Sequence, residues 1–117
     1  GTVAILTKTQ TEAKAVAAIL SQLGEAVQLL EATDRTRTAH ILVMPIYLAK
    51  GLEFDAVIGY DVSQLNYPDE QATGLLYTLA SRAMHQLVLL SIGSISHLIT
   101  DIAETIDWMP LPETSDS

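Results

Sequence analysis

The sequence predicts an α/β fold of three layers, with a mostly parallel sheet between helices on both faces. Three observations carry this. Short continuous apolar runs, such as 3–7 and 40–48, lack polar alternation, as in strands buried on both faces. Between such runs lie stretches with apolar residues at helical spacing, beginning with Ala13, Val16, Ala17, Leu20 and Leu23. The 117 residues, 49% of them apolar, suit one domain with a substantial core.

The elements follow in order. Residues 3–7 form the first strand. Thr9 and Glu12 have capping-box spacing, which opens the first helix, and Gly24 stops it. Residues 26–30 form a second strand, and polar residues 31–38 connect it onward. Residues 40–48 read as a central strand whose exit is marked by Pro45, since proline cannot donate to a ladder. Residues 56–60 form another strand. Asp69 ends a loop containing Asn66, Tyr67 and Pro68, and caps a helix with Leu75, Leu76, Leu79, Ala80 and Ala83 on its apolar face. Residues 87–90 form a further buried strand. Ser96 caps a last helix bearing Ile99, Ile102, Ala103 and Ile106. Pro110 and Pro112 end regular structure, so the domain runs over 1–109 and 110–117 is a flexible tail. Crossovers between parallel strands are expected to be right-handed.

Six Lys and Arg against 14 Asp and Glu give a formal charge of −8. Such a surface disfavours strong nucleic-acid binding by this stretch alone. There are no cysteines, which excludes disulfides and thiolate metal sites and fits a reducing, cytoplasmic setting. No apolar run reaches membrane-spanning length, so no membrane partner is expected. The chain opens abruptly on a strand with no basic leader, which implies a domain taken from a longer protein.

Two places could carry chemistry. The loop from Lys50 to Asp55 follows the central strand, and ligands of open α/β sheets bind beyond the carboxyl ends of strands. There Lys50 can meet an anion, Gly51 permits close approach or an unusual dihedral, and Glu53 can accept from a sugar hydroxyl. The same loop also reads as a plain turn with Phe54 as core. Arg82 ends an apolar helix and needs a partner if buried. It is either an arginine finger for a transferring phosphoryl group or one half of an ion pair with Asp55 or Asp61. Lys8 follows the first strand and could touch a phosphate. His40, His85 and His97 lack metal-ligand spacing, so no metal site is expected. The acids do not cluster at the first strand end, as a flavodoxin-like receiver would need. No Gly-x-x-x-x-Gly-Lys-Ser/Thr segment occurs, so there is no phosphate-cradling loop.

Residues Ala49 to Asp55 resemble motif V of superfamily 1 helicases of the UvrD/Rep type. Leu76 to Ala83 resembles their motif VI, and Val3 to Lys8 lies where motif IV would be. The resemblance covers about residues 1–92, and the run from Met44 to Asp55 is most similar to the HelD (helicase IV-like) branch. It implies a C-terminal RecA-like domain, with the fold of P-loop NTPases but without its own P-loop. ATP with magnesium would sit between this domain and an N-terminal RecA-like domain of the same polypeptide, which supplies the P-loop and the metal ligands. Arg82 would meet the γ-phosphate, Glu53 the ribose, and Lys8 a phosphate. Lys50 and Gly51 would couple nucleotide state to closure. Typical motif V has Thr and His where this chain has Pro45 and Tyr47. Tyr47 retains a stacking face toward DNA, but Pro45 loses a hydroxyl and an N–H. Nucleotide contacts are thus kept better than strand contacts. The implied function is the C-terminal motor domain of an ATP-dependent DNA helicase, inactive alone. The alternative is an ATP-switched module that binds RNA polymerase and displaces it from nucleic acid without processive unwinding.

Overall fold

The computed structural model describes residues 1–32 and 39–99. It contains five strands: β1 (Val3–Thr7), β2 (Val27–Leu29), β3 (Ile41–Pro45), β4 (Phe54–Gly59) and β5 (Ala83–Leu89). They form one wholly parallel sheet in the order β2-β3-β1-β4-β5. Among the described residues, the α-helices α1 (Gln10–Gln22) and α2 (Thr73–Ser81) accompany it.

The register explains the layers. Ala4 aligns with Leu42, Ile5 with Val43 and Leu6 with Met44. Side chains alternate across a strand, so paired residues share a face. Ala4, Leu6, Leu42 and Met44 meet Leu76 and Leu79 of α2, whereas Ile5 and Val43 meet Ala13, Val16 and Ala17 of α1. The expected helix on each face is therefore present, and the mid-strand residues of β1 and β3 are buried on both sides.

Helix α1 opens with the expected capping box. The Thr9 hydroxyl accepts from the Glu12 amide at 3.1 Å, and Glu12 Oε1 accepts from the Thr9 and Lys8 amides. It closes at Gly24, whose φ of +89° suits a residue without Cβ. The Glu25 amide reaches back to the Leu20 carbonyl and the Gly24 amide to Ser21, the paired bonds of a Schellman turn.

Several elements differ from the sequence expectation, among them β4, which begins at Phe54 and ends at Gly59 where a strand over 56–60 was expected. Strand β3 stops at Pro45, and residues 46–49 tighten into a 3-10 turn instead of extending the strand to Leu48. Asp69 does cap, accepting from the Gln71 amide, but the turn it caps is the 3-10 segment Glu70–Ala72 leading into α2. Helix α2 ends at Ser81, and β5 begins at Ala83, four residues before the expected strand start. The reason is that β5 is an edge strand with a register shift opposite Phe54 to Ala56, so Met84, His85 and Gln86 are exposed and give no apolar run. The Ser96 hydroxyl accepts from the Leu98 amide, as a cap would, and Leu98 and Ile99 are buried. The rest of the expected last helix, the 110–117 tail and the connection at 33–38 lie outside the described residues. No helix among the described residues is long and apolar enough to cross a membrane.

Candidate functional site

The segment after β3 crosses the molecule from one sheet edge to the other. The 3-10 turn buries Ile46 and Ala49 and leaves Tyr47 exposed near the carboxyl edge. Exposed Lys50 follows, and the Leu52 amide closes the turn onto the Ala49 carbonyl at 3.0 Å. Gly51 has a φ of +78°, with nothing within 4 Å of where a Cβ would stand. Its dihedral, rather than a close approach, is therefore what calls for glycine. Gly51→Ala is expected to destabilise the domain by about 1–2 kcal/mol, the usual cost of a left-handed L-residue; a thermal melt checks this.

The loop does not stay at the carboxyl edge, where the sequence placed it. Exposed Glu53 leads directly into β4, at the amino edge of the sheet. Arg82 likewise leads directly into β5. Phe54 pairs with Ala83, and the Phe54 amide donates to the Arg82 carbonyl at 2.9 Å. Glu53 and Arg82, 29 positions apart in the chain, thus start neighbouring strands at one rim.

Arg82 is half-buried. Its Nη2 donates to the Ser81 hydroxyl at 3.2 Å, while its Nε is buried with no hydrogen-bond partner. The carboxylates that might have paired with it have other partners. Asp55 Oδ2 accepts from the Thr2 amide at 2.8 Å, and Oδ1 lies 3.9 Å from His85 Nε2. Asp61 Oδ1 accepts from the Ile92 amide. Among the described residues, then, Arg82 has a donor directed at no acceptor, a state that costs free energy until an acceptor arrives. Beside it, residues 80–81 and 83–87 line an open cavity of about 370 Å³.

Lys8 lies elsewhere. It follows Thr7, which pairs with Pro45 at the carboxyl edge. Since Val3 aligns with Ala56, Lys8 and Glu53 are separated along the strands by about 25 Å at the usual rise per residue. The Lys8 ammonium donates to the Asn66 carbonyl at 2.6 Å and stands 5.6 Å from the centre of the Tyr67 ring. Asn66 Nδ2 in turn donates to Glu12 Oε2 and to the Asp61 carbonyl, both at 3.0 Å. Tyr67 is fully buried with its hydroxyl unpartnered, and burial, reinforced by Glu12 and Asp61, pushes that hydroxyl well above its ordinary pKa.

The structure thus brings Glu53 and Arg82 to one rim, strings Tyr47, Lys50 and Gly51 along the segment that reaches it, and sets Lys8 apart. Sequence reasoning missed two features. Ser81 was not among the candidate site residues, although it precedes an arginine and carries an acceptor. The rim cavity was hidden because β5 begins where the pattern still looked helical.

Comparison with known proteins places this geometry. Residues 40–90 match the family model of the UvrD-like helicase C-terminal domain, a span that holds β3, β4, α2, β5 and the rim. This stretch is similar to a UvrD-like helicase C-terminal segment. The chain is also similar to a solved structure, the C-terminal domain of a possible DNA helicase from Lactobacillus plantarum WCFS1. Identity is 40% and the TM-score 0.78, over 93% of this chain and 66% of that one. The chain therefore spans just under two thirds of that domain's length. No curated protein matches it. The five-stranded parallel sheet with helices on both faces agrees with a RecA-like helicase C-terminal domain.

Proposed function

We propose that this UvrD-like domain is the second half of an ATP-driven DNA motor. Its partner would be an N-terminal RecA-like domain of the same polypeptide, which holds the P-loop and magnesium. The observation that carries the reading is the shared rim: the Phe54–Arg82 backbone bond, with Glu53 and Arg82 each one residue before a paired strand. The family match and the similarity to a possible DNA helicase support it.

Bound magnesium ATP supplies a phosphoryl group for transfer to water. Toward it the half-buried guanidinium of Arg82 offers a permanent positive charge. Exposed Glu53 offers carboxylate oxygens to a ribose hydroxyl. Lys50 and Gly51 lie on the segment that links this rim to the carboxyl edge, so a shift of one edge is conveyed to the other. At that far edge Tyr47 presents an exposed ring on which a DNA base can stack. A phosphate role for Lys8 requires its bond to the Asn66 carbonyl to break first.

The isolated domain is expected to hydrolyse no ATP. Phosphate release by the purified domain above the buffer rate would mean that a complete site lies within these residues, which sinks the shared-site reading. In the full-length protein, salt-sensitive binding to single-stranded DNA and strand separation are the results that fit a motor.

A second reading has its own observation. Leu65, Ile92 and Ile95 are 92%, 64% and 46% exposed. They sit on two loops tied together by the Gln64 amide on the Ser94 carbonyl and by a bridge between Ser63 and Ile95. Exposed apolar groups held rigidly together favour a protein partner. This supports, as the alternative, an ATP-switched module of HelD type that grips RNA polymerase and removes it from nucleic acid. Tight polymerase binding without strand separation would favour it over the motor.

A further inference from the structure

The side chain of Arg82 is held by a short relay. Its Nη2 donates to Ser81 Oγ at 3.2 Å, and Ser81 Oγ donates its own proton to the Thr78 carbonyl at 3.1 Å. The direction of each bond is thereby settled: the serine proton is committed to the helix, so the serine oxygen faces the guanidinium as an acceptor. Thr78 belongs to the last turn of α2, where the carbonyl end of the helix favours a cation. A guanidinium carries its five N–H groups in one rigid plane. Holding Nη2 therefore restrains the orientation of the whole planar group.

We infer that Ser81 is a positioning residue: its hydroxyl holds Nη2 and so orients the Arg82 guanidinium before an anionic ligand arrives. Ser81 acts through Arg82 and touches no reacting atom. Without the relay the arginine side chain, rich in rotamers, must be ordered at the moment of use. The inference rests on the proposed role of Arg82 and narrows it to a geometry.

The test uses the full-length protein with Ser81→Ala, Ser81→Thr, Ser81→Cys and, as control, Arg82→Ala. The readouts are kcat and KM for ATP together with thermal melts. Ser81→Ala is expected to lower kcat by about tenfold to a hundredfold, the usual scale of a small misplacement, with KM changed less than about twofold. Ser81→Thr keeps the hydroxyl and should restore kcat to within about twofold of the parent, because the acceptor is retained. Should Ser81→Ala melt early, Ser81→Cys preserves size with only a weak acceptor, and the same loss of kcat is expected from it. Parent-like kcat in Ser81→Ala or Ser81→Cys, a loss confined to KM, or a Ser81→Thr as slow as Ser81→Ala would each overturn the inference. Arg82→Ala separates the two levels. If it turns over ATP normally, the proposed function itself fails; if it is slow while Ser81→Ala is not, only the role of Ser81 fails.

Discussion

Arg82→Ala in the full-length protein is expected to lower ATP turnover by about a thousandfold or more, the scale on which arginine fingers act in phosphoryl transfer. The melting temperature of the domain should change little. The two halves of this expectation have one source. A guanidinium satisfied by neighbouring carboxylates would be structural, and its loss would strand buried charge. Here the carboxylates of Asp55 and Asp61 are engaged with backbone amides, and the described contact of the guanidinium is a single hydroxyl. Removing it also removes the orphaned buried Nε, which offsets part of the lost packing. Steady-state hydrolysis and a melt of the same preparation check both halves. Turnover near that of the parent would remove Arg82 from the chemistry. A steep drop in melting temperature would make it a structural residue instead.

The second large effect is expected from Phe54→Ala. Phe54 is fully buried among Val57, Leu76 and Leu79, and begins β4. Truncating a buried phenylalanine costs about 3–5 kcal/mol, from lost apolar burial and the cavity left behind. A domain near 100 residues loses roughly 4–8 °C of melting temperature per kcal/mol, so a fall of at least about 12 °C is expected. The same residue bonds Arg82 through its amide, and that backbone contact survives the substitution wherever the fold does. Below its lowered melting temperature the variant should therefore keep the rim and much of its ATP turnover in the full-length protein. A melt unchanged by Phe54→Ala would mean that the packing around β4 is wrongly understood.

Much of the fold could be read from residues alone, for reasons that are local. Strand β1 was bounded correctly because a five-residue apolar run between polar neighbours has few other uses. Helix α1 was bounded because its signals are chemical: a hydroxyl, a carboxylate three residues on, and a glycine at positive φ. Strand β5 was misjudged because Ala83 continues the helical spacing of Leu75, Leu76 and Leu79, and an edge strand gives no apolar run. Only a hydrogen-bonded neighbour, Phe54, decides that Ala83 belongs to the sheet. The candidate site shows the same division. Glu53 and Arg82 were picked out by resemblance to motifs V and VI, and nothing in their spacing along the chain indicates that they begin adjacent strands. The separation of Lys8 depends on strand register across β1, which no single segment encodes.

The strand order carries a consequence for how the chain acquires its shape. Of the five described strands, the earliest in the sequence is the middle one, flanked by β3 and β4, whose pairings join Val3 to Ile41 and to Ala56. Contacts between residues so distant in sequence slow folding, since a long loop must close before any pairing is gained. During synthesis, which proceeds from the N-terminus at roughly 5–20 residues per second, β1 must therefore wait for β3, which ends at Pro45, and longer still for β4, which ends at Gly59. The domain assembles outward from a centre that is made first and completed late.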